Sequence, residues 1–241
     1  MRKLLASVLV IASLGLFAVP ASASGITTIP SNNWTGYAIT GSITGVTTTF
    51  TVPYLTNADT CKSRVAIWAG VGGLTPKQGL LQAGVVLSPI SPYTGLCSHT
   101  GFYVSAWWEK LPAPMQLVSP LTLLVHAGNK ITVVIGDTRS PGNWLVGIEN
   151  VTTGEVFETT TLFEAKAPSA DYIVEAITSK VSCGGICPLA PFVNGSDLQP
   201  GITLTNCKFS GTGVGADKFV LDNTMTSPVN SNNSFTVSYD G

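Results

Sequence analysis

Pro, Gly or Asn punctuates this chain roughly every ten residues, and the runs between are rich in Thr, Val and aromatic residues. No stretch sustains the 3.6-residue apolar repeat of an amphipathic helix. Many short β-prone runs at that spacing specify an all-β fold, an antiparallel sandwich or barrel with little helix. The runs at 33–39, 46–52, 65–70, 79–87, 101–110, 121–126, 130–137, 143–150, 155–160, 171–177, 201–208, 218–221 and 234–239 are expected to be its strands. Thr152-Thr153-Gly154 is expected to turn one strand into the next as a hairpin.

The length, 241 residues, suits one large β domain. The N-terminus is expected to be removed. Arg2 and Lys3 precede an apolar run from 4 to 19, and Ala21-Ser22-Ala23 supplies an A-x-A cleavage site, so 1–23 is expected to be a secretory signal. Residues 24–31 then form a short leader or minimal propeptide, and 32–241 the single domain. The product is expected to be secreted and monomeric, with no membrane segment after cleavage. A formal net charge of −1 with no basic stripe argues against nucleic acid as a partner.

Cys61, Cys97, Cys183, Cys187 and Cys207 suit a secreted chain with disulfides and one thiol left over. Cys61–Cys97 plus one bridge among the other three is the expected arrangement. Zinc is not expected at Cys183-Gly-Gly-Ile-Cys187, because neither histidine, His99 or His126, lies at ligand spacing to it.

Three polar side chains stand on apolar strands. Gln82 is the only polar side chain in GLLQAGVV, and alternation puts it on one face with Leu80 and Val86. Glu109 shares a face with Trp107, and Glu175 with Ile173 and Ile177. A glutamine so placed is either a core amide satisfied by backbone groups or a working donor. A carboxyl among apolar neighbours has its ionised form disfavoured, which suits it to general acid or base chemistry, unless it simply points to solvent from a strand edge. The familiar hydrolase signatures G-x-S-x-G, H-E-x-x-H, D-T-G and D-S-G are all absent.

Five motifs in order resemble those of the glutamic peptidases, the eqolisin or G1 family, and the chain is read as a bacterial-type member. They are Asn33-Trp34-Thr35-Gly36-Tyr37, the segment from Ala66 to Val85 that holds Trp68 and Gln82, and Ala106-Trp107-Trp108-Glu109. Ile148-Glu149-Asn150-Val151-Thr152-Thr153-Gly154 and Ala170-Asp171-Tyr172-Ile173-Val174-Glu175 complete the set. The resemblance implies a lectin-like sandwich of two long, bent antiparallel sheets. It also implies a pepstatin-insensitive acid endopeptidase acting on proteins or peptides without metal or cofactor. Gln82 and Glu175 match the family's catalytic glutamine and glutamate, which face each other across the concave sheet. Trp68, Trp107 and Glu109 match residues of its substrate cleft. Gly72, Val86 and Thr178 stand where the family carries acids, so this cleft holds fewer carboxylates.

Two other readings fit the same residues. Glu109 and Glu175 could be the carboxylate pair of a glycoside hydrolase. Alternatively Trp68, Trp107 and Trp108 could form the platform of a non-catalytic carbohydrate- or peptide-binding module.

Overall fold

Two very long strands organise the molecule. The computed structural model describes residues 17–18, 26–55, 64–75, 79–98, 101–177, 192–193, 201–221 and 224–239. Twelve labelled strands carry the fold: β1 (Thr27–Ser31), β2 (Trp34–Thr51), β3 (Val65–Gly72), β4 (Leu80–Ser88), β5 (Tyr103–Lys110), β6 (Lys130–Asp137), β7 (Asn143–Asn150), β8 (Glu155–Leu162), β9 (Ser169–Ala176), β10 (Ile202–Leu221), β11 (Thr224–Thr226) and β12 (Phe235–Tyr239). Among the described residues there is no helix.

The strand order is β8-β7-β6-β2-β9-β3-β4-β5. The first half of β2 pairs antiparallel with β9, from Trp34 opposite Glu175 to Thr40 opposite Ser169. Its second half pairs with β6, from Gly45 opposite Gly136 to Thr51 opposite Lys130. On its other edge β10 follows β2 from Phe50 back to Gly36. Register shifts fall between Thr205 and Lys208, Ser210 and Gly211, and Gly213 and Gly215. Such bulges bend and twist a ribbon without ending it. Here they allow one pair of strands to run through both layers of the sandwich.

The β2 and β10 strands each span two of the expected runs. Gly41 and the glycines at 211, 213 and 215 mark irregular pairing inside a strand rather than its end. The strand expected at 121–126 does not form. Thr122 and Leu123 both donate their N–H groups to the Ser119 carbonyl, which makes a turn. Leu123 and Val125 are nonetheless buried, so their apolarity serves the core from irregular backbone. The hairpin at Thr152–Gly154 forms as expected, with Asn150 opposite Glu155 and Gly154 at φ 76°.

The main core lies between the layers. Strand alternation sends Val65, Ile67, Ala69 and Val71 of β3 into it, with Tyr172 and Val174 of β9 and Ile131, Val133 and Ile135 of β6. The opposite face of β2, β9, β3, β4 and β5 carries a second apolar layer that includes Ala38, Trp68, Val86, Trp107, Ile173 and Phe219. Strand β3 is buried on both faces.

Part of the stretch read as a leader is a strand of the sheet. β1 pairs in parallel with β10, Thr27 to Ser31 against Asp217 to Leu221. Its Ile29 packs on the second apolar layer. Cys97 is disulfide-bonded, with its partner outside the described residues. Cys207 is free and buried, its thiol pushed up to about 12 by burial. Of the segment read as a signal only Phe17–Ala18 is described, paired antiparallel with Phe209 and Lys208 of β10; its other residues, Cys61, Cys183, Cys187 and Thr178 lie outside the described residues.

Candidate active site

The second apolar face can be laid out from strand register as three rows. The middle row is Gly36, Ile173, Trp68, Gly84 and Trp107, taken across β2, β9, β3, β4 and β5. One row to one side is Ala38, Asp171, Gly70, Gln82 and Glu109. The row on the other side is Trp34, Glu175, Ala66, Val86 and Ser105. All five expected site residues therefore share one face. Gln82 and Glu175 sit in different rows with Trp68 between them.

Gln82 and Glu109 are direct neighbours on β4 and β5, and the amide Nε2 donates to Glu109 Oε2 at 2.7 Å. A carboxylate beside Nε2 fixes which end of the amide faces which way. Gln82 is buried, and its Oε1 has no hydrogen-bond partner. Burial raises the Glu109 carboxyl above its ordinary value, opposed by hydrogen bonds from Gln82 and the Met115 backbone.

Glu175 is held from two sides. Asn33 Nδ2 donates to Oε1 at 2.9 Å, and Trp68 Nε1 donates to Oε2 at 2.9 Å. Burial nevertheless pushes its carboxyl up to about 7, against hydrogen bonds from Trp68, Trp34 and Asn33 that favour the charged form. The Glu109 charge adds to the rise, so the two carboxyl groups feel each other across the face. Glu175, Trp68, Glu109 and Gln82 therefore make one electrostatic unit.

The Trp68 indole spans the gap between the rows. Its Nε1 reaches Glu175, and a Cβ built on Gly70 would lie 3.0 Å from its Cζ3 and 3.2 Å from Gln82 Cβ. Gly70 thus leaves room for the ring between the two polar residues. Trp34 supports the ring edge-on, with centroids 5.1 Å apart.

The family model for the Peptidase A4 family matches residues 32–239. The chain belongs to the Peptidase A4 family. It is a glutamic peptidase, a hydrolase of peptide bonds. The solved structures agree on the fold. Scytalido-glutamic peptidase with a transition state analog inhibitor superposes with a TM-score of 0.65 at 21% identity, covering 86% of this chain and 98% of the other. SCP-B, a member of the eqolisin family in complex with the tripeptide Ala-Ile-His, gives 0.61 at 20% identity, covering 86% and 98%. Aspergilloglutamic peptidase from Aspergillus niger gives 0.52 at 24% identity, covering 74% and 99%. No curated protein sequence matches the chain significantly.

Placed on this glutamic peptidase, the tryptophans separate. Trp68 and Trp107 are fully buried on the site face, and Trp107 Nε1 has no hydrogen-bond partner. Trp108 packs on the main core from the opposite face of β5. The three therefore do not form an exposed platform. Gly72, where the family carries an acid, sits at φ 84°, and a Cβ there would lie 2.3 Å from the Gly79 carbonyl oxygen. The turn is built for glycine, so an aspartate could enter only with a reshaped backbone.

Asp171 is the polar residue of this face that sequence reasoning missed as a candidate. It is fully buried, and neither carboxyl oxygen has a hydrogen-bond partner. Burial raises its carboxyl well above the ordinary value, with the Ser169 hydroxyl weakly opposing. That hydroxyl already donates to the Gly72 carbonyl at 3.1 Å. A carboxyl with a raised folded-state pKa stabilises the fold below its unfolded value, and that stability is lost as pH rises through the folded value. Asp171→Asn is therefore expected to raise Tm at pH 7 by a few degrees and to change it little at pH 3. Thermal unfolding of both proteins at the two pH values checks this.

Proposed function

We propose that this glutamic peptidase is a secreted, pepstatin-insensitive endopeptidase in which Glu175 transfers the protons and Gln82 stabilises the oxyanion. The observation that carries the reading is the coupled unit of Glu175, Trp68, Glu109 and Gln82 on one face. The sequence motifs support the same assignment. Export rests on the basic, apolar and A-x-A pattern of the first 23 residues.

As a carboxylate, Glu175 accepts a proton from the water that attacks the scissile carbonyl, then returns it to the leaving amide nitrogen. Asn33 and Trp68 hold the carboxyl in place during both transfers. Gln82 uses one N–H to bond Glu109 and aims the other at the developing oxyanion. Its unpartnered Oε1 accepts a hydrogen bond from the substrate or the attacking water, which satisfies a buried acceptor. Trp68 and Trp107 supply apolar walls that exclude other water and strengthen these contacts.

The pH range follows from the environment of Glu175. With its carboxyl near 7, the base form grows as pH rises through neutrality, so kcat/KM is expected to rise along that limb. Glu109→Gln removes the like charge while leaving an acceptor for Gln82 Nε2. The variant is expected to shift the limb to lower pH. A pH–rate profile of both enzymes on a denatured protein substrate, run with and without pepstatin, tests the assignment. An unmoved limb in Glu109→Gln, or inhibition by pepstatin, counts against it.

A further inference from the structure

Beside Glu175 the same face opens into a cavity of about 350 Å³, whose lining includes Arg64, Val86, Ser88, Ser105, Met115 and Ile177. Val86 and Ser105 are level with Glu175 across the sheet. Ile177 lies two residues beyond it along the chain, and its N–H donates to the Arg64 carbonyl at 3.0 Å. The outer wall comes from the turn at 89–98, where Ser91 N–H donates to the Leu96 carbonyl and Gly95 N–H to the Ser91 carbonyl. A bridge between Ile90 and Cys97 closes that turn.

Arg64 is the only charged residue among the described residues of this lining. Its guanidinium has no ion pair or hydrogen bond among the described residues. An arginine at a mostly apolar wall, without a carboxylate partner among the described residues, presents a fork suited to two carboxylate oxygens. Val86, Met115 and Ile177 suit the methylene stem that would carry such a group, and Ser88 and Ser105 add short-range hydroxyls.

We propose that this cavity is a substrate subsite selecting a side chain that ends in a carboxylate, with Arg64 as its specificity-determining residue. The assignment rests on the catalytic reading of Glu175 and Gln82 given above. Adjacency to Glu175 places the selected residue within two positions of the scissile bond, since an extended peptide advances about 3.3 Å per residue. A lysine in the same place meets a like charge, and that repulsion supplies specificity as much as the attraction does.

The test uses quenched fluorescent peptides that differ only in carrying Glu, Gln or Lys at each of the two positions on either side of the bond. Cleavage sites are read by mass spectrometry. The wild type is expected to prefer Glu over Lys at one position by about tenfold or more in kcat/KM, a modest effect for one charge pair. In Arg64→Gln the preference falls to within about threefold of unity, and in Arg64→Glu it reverses. The Gln peptide, uncharged at the same position, is the reference against which each enzyme's Glu and Lys rates are read. Ser88→Glu, which keeps Arg64 and adds a carboxylate to the wall, is expected to weaken the preference as well. A Glu-to-Lys ratio near unity in the wild type, or one unchanged in the variants, overturns the subsite. Hydrolysis of the Gln peptide that persists in Glu175→Gln instead overturns the catalytic reading, and the two failures are read from different peptides and variants.

Discussion

Glu175→Gln is expected to lower kcat on a denatured protein substrate by about a thousandfold or more, with KM changed little, because acid–base catalysis by one positioned group is worth about 10²–10⁴-fold. The substitution keeps the shape and one acceptor. Gln at 175 offers a carbonyl oxygen to either Asn33 Nδ2 or Trp68 Nε1, which now bond separate carboxylate oxygens. What it removes is the group that exchanges a proton. The effect on folding runs the other way at neutral pH. A carboxyl pushed up to about 7 by burial contributes stability that is present in acid and lost as pH rises through that value. The variant escapes that loss, partly offset by the second hydrogen bond it cannot accept. Activity and thermal unfolding measured on one preparation separate the two effects. Undiminished hydrolysis from acid to neutral pH by a folded Glu175→Gln protein would falsify the mechanism.

Gln82→Ala is expected to lower kcat by about 10²–10³-fold, the usual cost of removing one oxyanion donor. The loss belongs in kcat, because the donor does most when negative charge develops on the substrate oxygen. The pH profile carries a second signature. Gln82 donates to Glu109 and holds its carboxyl down, so its removal raises Glu109 further and leaves it protonated over a wider range. A glutamine acting only as packing would lower stability and leave kcat nearly unchanged. Single-turnover rates across pH, compared with wild type, discriminate between these roles.

Much of this site was legible because polar side chains on apolar strands conflict with their surroundings. Gln82, Glu109 and Glu175 each broke a local pattern, and alternation placed each with apolar neighbours that the structure retains. The same logic applies to Asp171, four residues before Glu175 on the same face of β9, whose apolar neighbours Ala170 and Tyr172 conceal how deeply it is buried. The partners of Glu175 were beyond local reading. Asn33 meets it from a residue 142 positions away, and the pairing that brings them together depends on the register of β2 against β9. The hydrogen bond of Gln82 to Glu109 likewise follows from the β4–β5 register. Trp107 and Trp108 illustrate the limit of composition: adjacent and chemically alike, they face opposite layers because a strand alternates. The run at 121–126 shows the converse limit. Its buried apolar residues imitate a strand while the backbone turns at Ser119.

A protease lives among copies of itself, so any segment that opens is a substrate. Here β2 and β10 pass from one layer into the other, and most of the remaining strands are anchored directly or indirectly to them. Peeling either layer away breaks pairings along a strand that also holds the other. Partial opening therefore approaches the cost of complete unfolding, and extended chain is offered rarely for self-digestion. The same two bulged ribbons therefore tie both layers to one opening event.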